Sequence, residues 1–244
     1  IIYNETLIDS LKLATLKYTD VLYKQGQVRW YKRPTADKTY VLALDPAAGT
    51  GGDNAAIQVI ELPTMTQVAE WCHNKTPVEG QIRIMREILK EINQYGAKEI
   101  YWTVENNSIG EAALVVIRDT GEENFPGNFL HDPIKVQGKR GRKGFHTSSK
   151  SKLDGCITLK RFIEQDKIKL FSDACIRELK TFVARGNSFS AQPGETDDLV
   201  MSLVICCRMI NYIASFEDDI FEVVNQNLGG DDNFDDNKPI DEYD

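Results

Sequence analysis

Asp45, Glu105 and the adjacent pair Asp197 and Asp198 are the residues of this sequence whose settings suggest chemistry. Asp45 closes the apolar run Val41, Leu42, Ala43, Leu44; Glu105 follows Trp102, Thr103, Val104; the Asp pair opens a long apolar stretch. An acid at the carboxyl end of a buried strand stands where α/β sheets hold their ligands. An acid at a helix start is favoured by the dipole and by unpaired backbone N–H groups. Taken singly, each has a plain structural account as a turn former, a strand terminus or a helix cap. Together they are anionic oxygen donors from three segments, the set that hard Mg²⁺ or Mn²⁺ ions take. Two such ions, about 3.5–4 Å apart, activate a water and stabilise a leaving oxygen in phosphoryl transfer. His73, His131 and His146 show no H-x-x-x-H spacing and no thiolate partner, so they read first as surface or strand histidines.

The hydrophobic periods say which elements hold these acids. KTYVLALD, AAIQVIEL and QVAEWCHN read as three strands joined by short links, hence an antiparallel meander. Ile82, Met85, Leu89 and Ile92 mark a helix from Glu79 to about Tyr95, ended by Gly96, and EIYWTVE follows as a fourth strand, so that helix is a crossover. SIGEAALVVIRDT is a second helix, PIKVQG a fifth strand, and a third helix starts at the cap Ser148. IKLFS is a candidate edge strand, CIRELKTFVAR a helix, NSFSAQPGE a loop, and residues 196–215 an apolar helix with Leu199, Leu203, Cys207 and Ile210 on one face. The expected class is α/β: a mixed sheet, three antiparallel strands plus parallel ones, flanked by helices.

Composition is compatible with one sizeable domain: 244 residues, 41% hydrophobic and 27% charged. No stretch approaches eighteen consecutive apolar residues and the start has no signal-peptide order, so a soluble intracellular protein is expected. Cys72, Cys156, Cys175, Cys206 and Cys207 are odd in number and form no C-x-x-C pair, which predicts reduced core thiols. Residues 1–37 read as an N-terminal arm or interdomain linker, 38–216 as the main domain and 217–244 as an acidic tail expected to lack order. The formal charge of −8 argues against a polyanionic partner until its distribution is considered. The tail holds eleven of the 37 acids and only one base, Lys238, so the rest carries 28 bases and 26 acids.

Two loops carry further signals. PAAGTGGDN lacks the Lys-Ser/Thr ending of a P-loop, so Gly51, Gly52, Asp53 and Asn54 read as a hairpin turn, with Gly49 a place for DNA or a metal to approach the backbone and Asp53 a supporting acid. QGKRGRKGFHTSSKSK has Lys139, Arg140, Arg142, Lys143, Lys150 and Lys152 and no acid. Its glycines let it follow a phosphate backbone, with Phe145 or His146 against a sugar or base, so Lys139, Arg140, Arg142 and Lys143 are expected to bind DNA with little sequence preference.

The segments YVLALDPAAGTGGDNAA, IYWTVENNSIG and GETDDLVMSLVICCR resemble the three acidic motifs in the nuclease domain of large terminase subunits from tailed, T-even-like bacteriophages, over about Lys38 to Phe216. The resemblance implies a ribonuclease-H-like fold and an Mg²⁺- or Mn²⁺-dependent endonuclease that cuts concatemeric double-stranded viral DNA during genome packaging. By position, Asp45 would bridge two metal ions and Glu105 would hold one. The third ligand would come from Asp197 or Asp198, with Asp198 slightly favoured; Met201 stands four after Asp197, where many relatives have another acid or a histidine. The implied partners are double-stranded DNA, an ATPase motor domain, whose P-loop is absent here, a portal and a small terminase subunit. The implied location is the packaging motor of the prohead in the host cytoplasm. Two other readings compete: an actin-like nucleotide-binding module, which needs a second phosphate loop, and a non-catalytic DNA clamp or portal-docking module, in which the Asp pair only caps a helix.

Overall fold

A computed structural model of the protein describes residues 8, 20–22, 28–133, 142–185 and 188–226. Strands β1 (Asp20–Leu22), β2 (Val28–Trp30), β3 (Thr39–Asp45), β4 (Ala55–Leu62), β5 (Thr66–His73), β6 (Glu99–Val104) and β7 (Asn128–Phe129) make one sheet in the order β1-β2-β5-β4-β3-β6-β7. The meander β3-β4-β5 is antiparallel as its short links predict, whereas β6 joins β3 in parallel because helix α1 (Val78–Gln94) carries the chain back across the sheet. Helices α2 (Ser108–Thr120), α3 (Ser149–Glu164), α4 (Asp173–Thr181), α5 (Asp198–Ile213) and α6 (Asp218–Asn225) complete the layers.

Strands β3 and β4 are mostly apolar and almost wholly buried because both faces of the sheet are covered. Val41 and Ala43 point into a core with α3, α4 and α5; Tyr40, Leu42 and Leu44 point into a second core with α1 and α2. The hydroxyl of Ser202 in α5 donates to the carbonyl of Ala43 at 2.9 Å, which anchors the start of α5 against the carboxyl end of β3.

Several expectations are corrected. The sheet extends ahead of Lys38, since β2 pairs with β5, and Ile8 is buried in the α5-side core. The expected fifth strand, residues 133–138, lies outside the described residues from 134 onward; the short strand β7 ahead of it pairs with β6. IKLFS forms one bridge, Thr66 with Lys169, rather than a strand. The fourth expected helix stops at Thr181, and β8 (Phe182–Arg185) and β9 (Ser188–Ala191) form a separate hairpin where a loop was expected. The tail begins with helix α6: Ile220 and Val224 are buried, and Lys167 donates from Nζ to the carbonyl of Val224 at 2.8 Å. Its remainder, from residue 227, lies outside the described residues.

Candidate active site

Parallel pairing of β3 with β6 sets Asp45 and Glu105 side by side at the carboxyl ends of the two strands, and the amide of Glu105 donates to the carbonyl of Leu44 at 2.8 Å. Just beyond β6, Glu105 is 5% exposed, and Asn107 donates from Nδ2 to its Oε2 at 2.5 Å while accepting the amide of Gly110 as the cap of α2. One asparagine therefore fixes both the carboxylate and the helix beside it. Asp198, the first residue of α5, accepts from the Nδ2 of Asn54 at 2.8 Å and from its backbone amide at 3.3 Å.

Asp45, Asp53, Glu105 and Asp198 line one open pocket of about 600 Å³ with Thr50, Asn54, Asn107, Thr147, Lys152 and Met201. Burial, then the charge of Glu105 and the hydrogen bond it shares with Asp45, then Asp198 and Asp197, push the Asp45 carboxyl well above the usual range. Burial likewise raises Asp198, against the opposing hydrogen bonds from Asn54. Among the described residues no three Asp, Glu, His or Cys side chains close into a ready-made metal cage. The donor set nevertheless fits an oxygen-preferring divalent cation: Asp45, Glu105 and Asp198 present carboxylates to a shared space, and the charges of Glu105 and Asp198 make Asp45 harder to ionise, a conflict that a cation resolves.

The start of α5 is not capped by the Asp pair. Neither side chain bonds the first turn, and Asp197 accepts instead from the amide of Ala191 in β9 at 3.2 Å. The capping carboxylate is Glu178 from α4, which accepts from the amide of Val200 at 3.1 Å and the hydroxyl of Thr196 at 2.8 Å. Burial pushes Glu178 up to about 7 even though these bonds pull it down.

The sequence model of the family described as the terminase RNaseH-like domain matches residues 42–206. The chain belongs to that family. Among solved structures, the large terminase nuclease of thermophilic phage G20c with bound magnesium is 15% identical at a TM-score of 0.59, covering 83% of this chain and 96% of that one. The same phage domain is also solved with bound cobalt and with bound zinc. The nuclease domain of the Thermus phage P74-26 large terminase is 17% identical at a TM-score of 0.57, covering 82% and 93%. The human cytomegalovirus terminase nuclease domain is 13% identical at a TM-score of 0.53, covering 85% and 94%. At these identities the likeness is one of fold, while membership in the terminase family supports a nuclease role in DNA packaging.

In this terminase domain Asp45, Glu105, Asp198 and Asp53, which was expected as a supporting acid, share the pocket; Asp197 is not on its wall. Gly49 serves a different end from the one its place in the loop suggested. With φ at +73°, its α-carbon faces Thr76, and a Cβ there would fall 2.4 Å from the carbonyl oxygen of Thr76, so the backbone it meets is the protein's own. Of the basic loop, Lys139 and Arg140 lie outside the described residues. Arg142 and Lys143 line a neighbouring open pocket of about 640 Å³ with Asn106, Asn107, Ser108 and His146, and Lys143 pairs with Glu122 at 2.7 Å. Phe145, expected against a sugar or base, is buried and bridges to Glu105. The sequence marks Asn54 only as a turn residue and Asn107 only by its capping position before SIGEA, and it carries no local signal for Glu178.

Proposed function

We propose that this terminase domain is a metal-dependent endonuclease that cuts concatemeric double-stranded viral DNA by phosphodiester hydrolysis with two metal ions. The observation that carries the reading is the convergence of Asp45, Glu105 and Asp198 on one pocket from two strand ends and a helix start. In hydrolysis a water oxygen bonds to phosphorus as a bridging P–O bond breaks, and the departing oxygen takes up a proton. Bound Mg²⁺ or Mn²⁺ would supply a more acidic water and charge neutralisation at the leaving oxygen. Asp45 would serve both ions, Glu105 one, and Asp198 would complete the set. Asn107 and Asn54 hold Glu105 and Asp198 in place.

Arg142 and Lys143, with Lys139 and Arg140, would hold phosphates beside the cutting site. The reading includes an arm over 1–37, a nuclease domain over 38–216 and an acidic tail, amended by β2 and α6. It also includes work beside an ATPase motor domain, a portal and a small terminase subunit at the prohead in the host cytoplasm. A clamp in which the Asp pair only caps a helix lacks support, because neither Asp side chain caps α5.

The test is Asp45→Asn assayed for nicking of supercoiled plasmid with Mn²⁺. Cleavage should vanish while the melting temperature holds or rises, since one member of a repelling pair becomes neutral. Retained cleavage sinks the assignment.

A further inference from the structure

The wall of the carboxylate pocket carries one lysine or arginine among the described residues, Lys152, which cannot ligate a cation. Three observations of different kinds single it out.

The first is placement. Helix α3 lies against α5 with no room between them: a Cβ on Gly155 would fall 2.6 Å from Cγ1 of Val204 and 3.0 Å from Cγ of Arg208. Further along, Asn211 donates to the hydroxyl of Thr158 at 2.8 Å, so the two helices run in the same direction and their first turns stand side by side. That sets Lys152, at the start of α3, next to Met201 and Asp198, at the start of α5, on one pocket wall.

The second is cost. The first turn of α3 has no acid, and Lys150 and Lys152 stand there, at the positive end of the helix dipole where a cation is disfavoured. The capping box of Ser148 and Ser151 holds this turn without help from charge. A local preference broken beside a cluster of acids points to function rather than to helix stability.

The third is availability. Lys152 is half-buried, its ammonium lies 5.7 Å from the centroid of the Phe182 ring, and it has no ion pair among the described residues. The remaining charged groups of the pocket, Asp45, Asp53, Glu105 and Asp198, are acids and offer an incoming phosphodiester no positive charge of their own. A cation fixed in place ahead of the reaction acts most strongly on charge that grows during it.

We propose that Lys152 contacts the substrate in this site: its ammonium meets a non-bridging oxygen of the scissile phosphodiester from the α3 side and stabilises the negative charge that gathers there as water attacks phosphorus. The assignment rests on the nuclease reading above.

The test uses the 244-residue chain with a short DNA duplex and Mn²⁺. It compares the native protein with Lys152→Gln and Lys152→Arg by single-turnover cleavage at saturating DNA, DNA affinity by fluorescence anisotropy, Mn²⁺ affinity by calorimetry, and melting. Lys152→Gln should lower the saturating rate roughly 10²-fold, the scale on which one stabilising donor acts. DNA affinity should stay within about threefold, as for an interaction made mainly in the transition state. Mn²⁺ affinity should hold, melting should hold or rise, and Lys152→Arg should regain much of the rate through its charge. An unchanged saturating rate in Lys152→Gln overturns the assignment, and so does a loss confined to DNA affinity or one tracked by an equal loss of Mn²⁺ affinity. A native chain that does not cut removes the nuclease reading and this assignment together; a native chain that cuts no faster than the Gln variant removes this assignment alone.

Discussion

Asp198 turns its Oδ2 to Asn54 and lines the pocket, whereas Asp197 turns its own to the amide of Ala191 in the β8-β9 hairpin. Asp198→Asn should therefore weaken Mn²⁺ binding and cut plasmid nicking by at least about 10²-fold, beyond what loss of a supporting residue does. Asp197→Asn should cost less activity and show in melting; equal losses of Mn²⁺ affinity in the two variants would contradict the division. A second prediction concerns His131. Its Nδ1 accepts the amide of Gly144 at 3.1 Å, beside the strand end that bears Glu105, and burial holds the ring below the 6.5 usual for histidine. The folded state thus favours the neutral ring, whose stabilising effect is present above about pH 6.5 and is lost as the pH falls below that unfolded value and through the lower folded one. The stability gap between the native chain and His131→Phe should be about 0.5–1.5 kcal/mol at pH 8, the range for one hydrogen bond. It should narrow toward pH 5 in denaturant titrations, and a gap that widens there would reverse the sign of the argument. Asp45, Glu105 and the Asp pair were legible in the sequence because each ends an apolar run or starts one. Asn54 was not, because its partner Asp198 lies 144 residues away and no local period encodes that pairing.

Helix α5 is positioned by another helix. Glu178 of α4 takes the amide of Val200, two residues beyond Asp198, in place of a local cap. Glu178→Ala should cost about 1–3 kcal/mol of stability by leaving buried donors unpaired, and Mn²⁺ affinity should fall with it. Unaltered metal affinity in a folded Glu178→Ala protein would confine the residue to stability. The sequence showed the long elements well, as with SIGEAALVVIRDT, which is α2 to the residue. It failed at the hairpin because Ile176, Leu179, Phe182 and Val183 keep helical spacing across the boundary, so the period does not mark where α4 ends. The acid-rich start of α6 was read as disorder for a related reason: two residues, Ile220 and Val224, carry its burial, too few for composition to reveal.

Across the whole molecule, a chain of net charge −8 must hold a polyanion on a body that is nearly neutral once the tail is set aside. Replacing Lys139, Arg140, Arg142 and Lys143 with Ala should weaken DNA binding about equally for all sequences and flatten the slope of log K against log salt by up to about 0.9 per lost contact. Mn²⁺ affinity should hold. A variant that keeps its affinity and its slope would place the DNA elsewhere on the protein. The central strand order was legible because short links force antiparallel neighbours and a helical crossover forces a parallel one. The outer strands were not, since β1 and β2 have three residues each and no repeating pattern.

The anchoring of α5 on β3 bears on how the protein is made. Ribosomes release the amino-terminal strands first, and with them Asp45 and then Glu105; Asp198 emerges only with the helix that also fills the α5-side core. A nascent chain therefore holds two of the three pocket carboxylates on a sheet with one face bare. If the terminase domain cuts DNA, the ability arrives only once α5 has emerged, and a chain truncated before α5 is harmless to the genome of the cell that makes it.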